Sequence, residues 1–335
     1  MANADTPLTQ LLPILSRLAQ ASLTLWDVPE GADVSLINVS ESVTYLIEAP
    51  DFKAVLRVHR DGYHSRQAIQ SELNWLTALN DTTTLATPQV ILGKDGKRIQ
   101  DARSESLTAP RHMVLFHFID GLAPDETGNL GAGFETLGRI AAQCHDHVSG
   151  WTKPMGFERM TWDETAVFGS NATWGNWRDA PGVTSDIQPV LEQLEEVVRA
   201  RLQSFGKSQD RFNLIHADMR LANLIMAPEG TRLIDFDDCG WGWFLYDFAA
   251  AISFIEDDPR IPALKDAWLR GYRDIRSLSA EDEAEIDTFV MLRRMALLAW
   301  IGSHIEAPEP QALAPDFAEN TAKLARSYLD ASSDA

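Results

Sequence analysis

The sequence predicts an α+β fold with two lobes, a small antiparallel-sheet lobe followed by a mostly helical one. Residues 36–118 contain short apolar runs typical of strands, interrupted by one amphipathic helix pattern. The later chain contains mainly helical patterns. A chain of 335 residues is long enough for two lobes that each have a core. We therefore expect domains at residues 1–118 and 119–335.

The composition is that of an ordinary globular protein, with 45% hydrophobic and 23% charged residues. The formal net charge of −20 argues against a nucleic-acid or anionic-membrane surface, since both require stripes of Lys and Arg. An acidic surface is compatible with cationic substrates, although net charge primarily concerns solubility. We expect neither a nucleic acid nor a membrane as a partner. The oligomeric state cannot be predicted from this pattern.

Cysteine content and the start of the chain predict a cytoplasmic protein. Two cysteines, Cys144 and Cys239, cannot form a disulfide framework and suggest a reducing compartment. The sequence begins MANADTPLTQ, without the basic and apolar regions of a secretory signal. No run of eighteen apolar residues predicts a transmembrane helix.

The predicted elements of the first lobe are mostly strands, with one helix before them and one among them. Leucines at helical spacing predict a first helix from residue 8 to 18, which Pro13 should bend or restart. The remaining elements are strands over 36–39, 43–47 and 52–59, a helix over 64–79, a hairpin over 90–100 and a buried strand over 113–118.

The second lobe is predicted to be helical, with helices over 134–147, 187–202, 248–255, 263–272, 283–305 and 317–329. Residues 150–181 are too apolar for disorder and too irregular for a long helix, which predicts an ordered loop region. Its tryptophans and nearby acids could enclose an amine, or the rings could simply pack the loop onto the protein.

Residues 212–247 carry the residues with the clearest chemistry. Asn223 follows Asp218 by five residues and begins an apolar run, residues 228–230 form a turn, and Asp235 ends a second apolar run. Two strands joined by a tight turn would hold one oxygen ligand at each end. Such oxygens suit Mg²⁺, which proteins usually share with substrate phosphates. Asp218 precedes the strands and is free to face a substrate hydroxyl.

The pattern H-x-D-x-x-x-x-N in HADMRLAN, followed by I-D-F in IDFDD, resembles the catalytic loop and metal-binding strand of the aminoglycoside phosphotransferase family. That family has the protein-kinase-like bilobal fold and includes choline/ethanolamine, homoserine and hydroxylysine kinases. The resemblance covers residues 36–306. It implies an ATP-dependent phosphotransferase that uses ATP and Mg²⁺ and phosphorylates a hydroxyl of a small molecule. The acidic composition and the Trp-rich loop favour an amine-bearing acceptor.

The resemblance also implies roles for the residues of the motif. Asn223 and Asp235 would bind the metal, and Asp218 would orient the acceptor hydroxyl and take its proton late in the reaction. Arg220 stands where protein kinases place a lysine that contacts the transferred group, so it would stabilise charge in the transition state.

The nucleotide phosphates are expected to meet a cation on the strand over 52–59. Aligning A-V-L-R with the V-A-I-K pattern of the kinase fold places Arg57 at the position of its lysine. Lys53 is the competitor, and the even spacing lets both side chains face one side. Arg57 is favoured because a charge inside an apolar run needs a reason. Glu72 would be the glutamate of the αC-type helix that holds this cation.

Two further segments are expected to contact the nucleotide. Ser40 and Ser42 lie where a kinase has its glycine-rich phosphate loop, and their hydroxyl and backbone N–H groups could face phosphates. An ordinary hairpin loop is the open alternative. The strand over 113–118 leads into the predicted hinge between the lobes, where backbone groups from His117 to Ile119 would meet adenine.

Several departures from the family pattern bear on function. The phosphate loop has no glycine, an arginine replaces the usual lysine, and Asp237-Asp238 stand where a protein kinase has glycine. Either acid could join the metal or substrate shell. His216 and Asp247 are expected to fix the catalytic loop. A catalytically inactive nucleotide-binding regulatory protein is the alternative function, and the absence of an activation segment disfavours a protein kinase.

Overall fold

The computed structural model describes residues 7–124 and 130–333, which form two compact units. The described residues of the first unit are 7–122, 153–159 and 225–237, and the other described residues form the second. The first unit contains the large antiparallel sheet and the second contains most of the helices. The predicted α+β class is therefore confirmed.

The strands of the described residues are, in chain order, β1 (Asp33–Val39), β2 (Ser42–Ala49), β3 (Phe52–His59), β4 (Val90–Ile91), β5 (Gln100–Ala102), β6 (Arg111–His117), β7 (Phe212–Ile215), β8 (Leu224–Ala227), β9 (Gly230–Leu233) and β10 (Gly240–Trp243). The helices are α1 (Leu8–Ser22), α2 (Arg66–Thr82), α3 (Gly131–Gly150), α4 (Glu164–Phe168), α5 (Gln188–Phe205), α6 (Tyr246–Ala251), α7 (Ile261–Arg273), α8 (Ala280–Ala284), α9 (Ile286–Ser303) and α10 (Pro308–Ser333).

The sheet of the first unit has the order β1-β2-β3-β6-β4, and β5 also pairs with β6. The predicted strands at β1, β2, β3 and β6 are confirmed. The predicted hairpin over residues 90–100 is wrong in its pairing. The turn exists, with the Gly93 N–H donated to the Lys97 carbonyl at 2.9 Å. The flanking strands do not pair there but follow the same edge of β6, with Ile91 opposite Leu115 and Gln100 opposite Met113.

The core of the first unit lies between this sheet and α1. Leu15 and Leu18 of the helix pack with Trp26, Tyr45 and Leu56, all of which are buried. The helix continues through the proline at position 13 rather than restarting there. Burial of one helical face against a sheet is the main source of stability for such a helix.

Two segments that lie far along the chain join the first unit. Residues 153–159 attach to α2, because Gln67 Nε2 donates to the Gly156 carbonyl at 2.7 Å and Glu158 N donates to Ser71 Oγ at 2.9 Å. The hairpin of β8 and β9 attaches through Met226, whose N–H donates to the Leu122 carbonyl at 2.8 Å. The predicted division at residue 118 placed both segments in the second lobe, because contacts between distant parts of a chain leave no local sequence signal.

In the second unit, α3 and α7 approach closely through two glycines. A Cβ atom at Gly138 would lie 1.9 Å from the Trp268 carbonyl oxygen, and one at Gly271 would lie 1.9 Å from the Glu135 carbonyl oxygen. Only glycine permits this separation of the two backbones. The predicted helix over 283–305 is divided between α8 and α9.

We expect Gly138→Ala to lower the free energy of unfolding by about 1–3 kcal/mol, because the new methyl group must push α7 away. Urea unfolding followed by circular dichroism measures this effect. Gly150→Ala is the matched control in the same helix, since a Cβ there meets no atom within 4 Å. Equal stability of the two variants would contradict the prediction.

The Trp-rich region is an ordered loop that contains α4 and a single 3-10 turn at Trp177–Asp179, as predicted. The Trp162 indole N–H donates to the Asp238 carbonyl at 2.7 Å. The Trp177 indole N–H donates to Glu195 Oε2 at 2.9 Å. Both rings are buried, so they fasten the loop to the rest of the second unit. Among the described helices, none has the length and apolar character needed to cross a membrane.

Candidate active site

The loop between β7 and β8 is held by a buried carboxylate. Asp247 Oδ1 accepts from the Ala217 N–H at 2.7 Å and Oδ2 accepts from the His216 N–H at 3.2 Å. Ala217 has a φ of 66°, a conformation that costs free energy in a residue with a side chain. These hydrogen bonds show how the loop is kept in that shape. His216 Nδ1 also accepts from the Asp218 N–H at 3.3 Å, so both residues contact the loop as expected.

His145 supports this arrangement from α3. Its Nε2 lies 2.9 Å from Asp247 Oδ2 and its Nδ1 lies 3.0 Å from the Tyr272 hydroxyl. Burial lowers the pKa of His145 and outweighs the opposing effect of Asp247, so the ring is neutral and donates one N–H to the carboxylate. His145 therefore supports the loop through its contact with Asp247.

The Asp218 carboxylate has three polar neighbours. Arg293 Nη2 donates to Oδ1 at 2.9 Å, Asn223 Nδ2 donates to Oδ2 at 2.9 Å, and Arg220 Nε lies 3.3 Å from Oδ1. Burial alone would raise the pKa of Asp218, but the charges of Arg220 and Arg293 lower it below the usual value. The carboxylate is therefore ionised at neutral pH and can accept a hydrogen bond from a hydroxyl.

Sequence reasoning missed Arg293 as a neighbour of Asp218. The side chain projects from α9 and is 2% exposed. Its Nε donates to Ser253 Oγ at 3.1 Å, and its guanidinium lies 5.2 Å from the ring centre of Trp174. The available signal was a pair of arginines in an otherwise apolar helix, where a charge requires a partner.

Asn223 and Asp235 both present oxygen atoms suited to a hard cation. The Asn223 amide nitrogen donates to the Asp218 carbonyl at 2.7 Å and to its carboxylate, which leaves the amide oxygen as the ligand atom. The Asp235 side chain is 41% exposed, and its φ is 60°. Within residues 7–124 and 130–333, no group of three or more His, Cys, Asp and Glu side chains forms a metal site. Each of these oxygens is of the type that Mg²⁺ prefers, and the role of the two residues as metal ligands stays a prediction.

The first unit contains the predicted ion pair between β3 and α2. Arg57 Nη1 lies 2.7 Å from Glu72 Oε1, and both side chains are buried. Burial alone would lower the pKa of Arg57, but Glu72, Asp237 and Asp235 raise it, so the guanidinium is charged. Lys53 instead pairs with Glu48 at 2.9 Å, and both of these side chains are about half exposed. This geometry favours Arg57 over Lys53 as the cation of the site.

The Ser42 hydroxyl is not directed as predicted. It donates to Asp237 Oδ2 at 2.7 Å, and the residue is buried. Ser42 begins β2 and pairs with His59, which turns its side chain inward. The predicted phosphate contact of this hydroxyl is therefore not in place. Ser40 is half-buried, and its N–H donates to the Ser42 carbonyl at 3.0 Å.

Asp237 forms a second buried cluster in the first unit. Its Oδ1 lies 3.5 Å from Arg57 Nη1, 3.6 Å from His59 Nδ1 and 3.5 Å from His64 Nε2. Burial is the main cause that lowers the pKa of His59 to about 3 and of His64 to about 4, so both rings are neutral. Arg159 donates to the Asp237 carbonyl oxygen. These contacts and the hydrogen bond from β2 indicate that Asp237 links β2, β3 and the segment just before α2 within its own unit.

The predicted hinge borders an open cleft. A cavity of about 410 Å³ is lined by residues 117–120. Residues just before β4 and residues of the β8–β9 hairpin complete its lining. This volume lies within the range of small-ligand pockets. The His117 N–H is already donated to the Gln89 carbonyl at 2.9 Å. His117 and Ile119 border this cleft, and their contacts with adenine stay a prediction.

The chain is similar to several known proteins in sequence and fold. Residues 33–286 match the phosphotransferase enzyme family. The chain is 42% identical to a solved microcompartment-associated aminopropanol kinase, with a TM-score of 0.87 over 94% of this chain and 98% of that one. It is 24% identical over 277 residues to amicoumacin kinase of Bacillus subtilis (strain 168), which covers 79% of this chain and 78% of the relative.

The fold is also similar to that of a protein with much lower sequence identity. A choline kinase from Streptococcus pneumoniae has a TM-score of 0.59 at 15% identity, over 96% of this chain and 99% of that one. The predicted protein-kinase-like fold and the family resemblance are confirmed. The chain belongs to the phosphotransferase enzyme family and is a small-molecule kinase.

Proposed function

We propose that this protein transfers the γ-phosphoryl group of ATP to the hydroxyl of a small amino alcohol. The observation that carries the proposal is the ionised Asp218 carboxylate, fixed in a strained loop beside Asn223 and Arg220. The 42% identity to an aminopropanol kinase supports an amino alcohol as the acceptor class. A solved amicoumacin kinase holds AMP-PNP and Ca²⁺, which supports ATP and a divalent cation as cofactors.

The proposal gives each residue a part in phosphoryl transfer. Asp218 accepts a hydrogen bond from the acceptor hydroxyl, directs its oxygen towards phosphorus, and takes the proton late as the P–O bond forms and ADP leaves. Arg220 stabilises charge on the transferred group. Asn223 and Asp235 would hold Mg²⁺, which when bound neutralises phosphate charge.

The nucleotide is assigned to the first unit. Arg57, fixed by Glu72, binds phosphate oxygens through its fork of N–H groups. Adenine occupies the cleft that His117 and Ile119 line. Backbone groups near Ser40 remain candidates for phosphate contacts, whereas the Ser42 hydroxyl is occupied by Asp237.

The amine of the acceptor requires a negatively charged or aromatic partner. The Trp174 ring already faces the Arg293 guanidinium, and the indole N–H groups of Trp162 and Trp177 bind protein oxygens. These contacts do not support an aromatic cage for the amine. The net charge of −20 favours the approach of a cationic substrate.

A cytoplasmic location is also part of the proposal. Cys144 and Cys239 are both buried and neither is in a disulfide, in keeping with a reducing compartment. The acidic composition supports an assignment without nucleic-acid partners.

An acceptor panel tests the proposed function. The purified protein is incubated with ATP and Mg²⁺ and with aminopropanols, ethanolamine, choline, homoserine, hydroxylysine, an aminoglycoside or glycerol. Release of ADP is measured together with the mass of the product. We expect an amino alcohol to gain one phosphoryl group. Turnover of glycerol alone would contradict the amine, and nucleotide binding without any phosphorylated product would favour an inactive regulatory protein.

A further inference from the structure

The two oxygens of the Asp218 carboxylate are each held by a different donor. The Asn223 amide, from the same loop, donates to Oδ2 at 2.9 Å. Arg293, 75 residues later on α9, donates to Oδ1 at 2.9 Å. A carboxylate that is bound at both oxygens cannot rotate freely about its last bond. Its orientation therefore depends on α9 as well as on the catalytic loop.

Arg293 is itself rigidly placed. It is 2% exposed, its Nε donates to Ser253 Oγ at 3.1 Å, and the rings of Trp174 and Tyr246 lie 5.2 and 5.7 Å from its guanidinium carbon. Aromatic faces attract a guanidinium, and the hydrogen bond fixes its direction. The guanidinium is therefore fixed in place, and its hydrogen bond restricts the position of the Asp218 carboxylate.

One strained turn supports both arginines that contact Asp218. Ser253 binds Arg293, and the ring of Phe254 lies 5.5 Å from the guanidinium carbon of Arg220. Phe254 has a φ of 73°, a conformation that a bulky residue rarely adopts and that persists only where the surrounding structure holds it. The strained turn therefore contacts Arg293 through Ser253 and Arg220 through Phe254, and both arginines contact the Asp218 carboxylate.

We propose that Arg293 is a positioning residue for phosphoryl transfer, which holds Asp218 so that its carboxylate faces the acceptor hydroxyl. It acts through Asp218 and needs no contact with substrate. A reacting group that is displaced by about 1 Å can lose about a hundredfold in rate. The assignment rests on the proposed function, because it gives Arg293 a part in that reaction.

The competing explanation is an ion pair that only stabilises the fold, and the next residue provides a matched control. Arg294 lies on the same helix, is 3% exposed, and binds the buried Glu256 at 2.5 Å. Arg293→Met and Arg294→Met each remove a buried guanidinium from an ion pair with a carboxylate. In Arg294→Met that carboxylate belongs to Glu256, so the contacts of Asp218 are unchanged. Both variants are expected to lower thermal stability.

The experiment compares the steady-state kinetics of Arg293→Met, Arg293→Lys and Arg294→Met under conditions where circular dichroism shows each to be folded. We expect Arg293→Met to lower kcat at least tenfold with KM for ATP within twofold of wild type. Arg293→Lys should recover part of kcat, since it keeps a donor and a charge. Arg294→Met should keep kcat within threefold. Equal kcat losses in the two Met variants would overturn the proposal.

A crystal structure of Arg293→Met gives a readout that does not need turnover. We expect the Asp218 side chain to change rotamer or to occupy several conformations, and an unchanged side chain would overturn the proposal. If Arg293→Met does not fold, the same comparison is made with Arg293→Lys. Failure of the wild-type protein to phosphorylate any acceptor would refute the proposed function, and the geometry of Asp218 would still decide whether Arg293 positions it.

Discussion

Asp218→Asn is expected to lower kcat by about 10²–10⁴, the range that general acid–base groups contribute. The change keeps the size of the side chain and an oxygen that can accept from Arg293 or Asn223. It removes the negative charge, so the side chain can no longer take the proton of the acceptor hydroxyl. Because Arg57 and the cleft proposed for adenine belong to the other unit, we expect ATP binding to survive.

The measurement pairs kcat on the best acceptor with ATP affinity from titration calorimetry. Asp266→Asn is the control, since it makes the same chemical change at an exposed position of α7. If Asp218→Asn retains more than a tenth of the wild-type kcat, Asp218 is not the group that takes the proton of the acceptor hydroxyl. Loss of ATP affinity to the same extent as kcat would instead indicate that the substitution disturbs the fold.

The parts of this site that the sequence predicts are those with a local signal. The strand β3 was predicted with its observed bounds because apolar residues fill it, and Arg57 was preferred over Lys53 because a charge inside such a run must have a partner. The catalytic loop was recognised by its spacing, and the contacts of Asp247 with the loop backbone agree with the role that the resemblance implied.

The parts that the sequence did not predict depend on contacts between distant residues. Ser42 meets Asp237 across 195 residues, and Asp218 meets Arg293 across 75. A short polar loop gives no sign of whether its hydroxyl faces solvent or the interior, because this is set by the pairing of Ser42 with His59. Similarly, nothing local to α9 distinguishes the partner of Arg293 from that of Arg294.

Replacement of Arg57 is expected to affect both stability and nucleotide binding. The guanidinium lies 2.7 Å from Glu72, 3.4 Å from Asp235 and 3.5 Å from Asp237. Arg57→Met leaves these carboxylates without that counter-charge, and Glu72 is fully buried. Loss of one partner of a buried pair costs about 3–5 kcal/mol. Charge-assisted hydrogen bonds contribute about 1.5–3 kcal/mol, so KM for ATP should rise at least tenfold.

A double variant separates these two effects. In Arg57→Met/Glu72→Leu the buried pair is replaced by apolar side chains, which is often neutral for stability. We expect it to recover part of the unfolding free energy, because only the Glu72 charge is removed and Asp237 stays buried. ATP binding should remain weak, because the phosphate ligand is still absent. Lys53→Met, on the same strand but in a half-exposed pair with Glu48, should change neither quantity appreciably.

The outcome decides what the ion pair is for. If the double variant regains stability and ATP affinity together, Arg57 serves the fold and the phosphates are bound elsewhere. If stability returns while KM for ATP stays high, Arg57 binds the nucleotide and Glu72 is retained to hold it in place. Arg57→Lys then restores the lysine of the V-A-I-K pattern at this position and tests whether an arginine is needed here. A lysine keeps the charge but loses the fork of N–H groups, so we expect a folded protein with an intermediate KM for ATP.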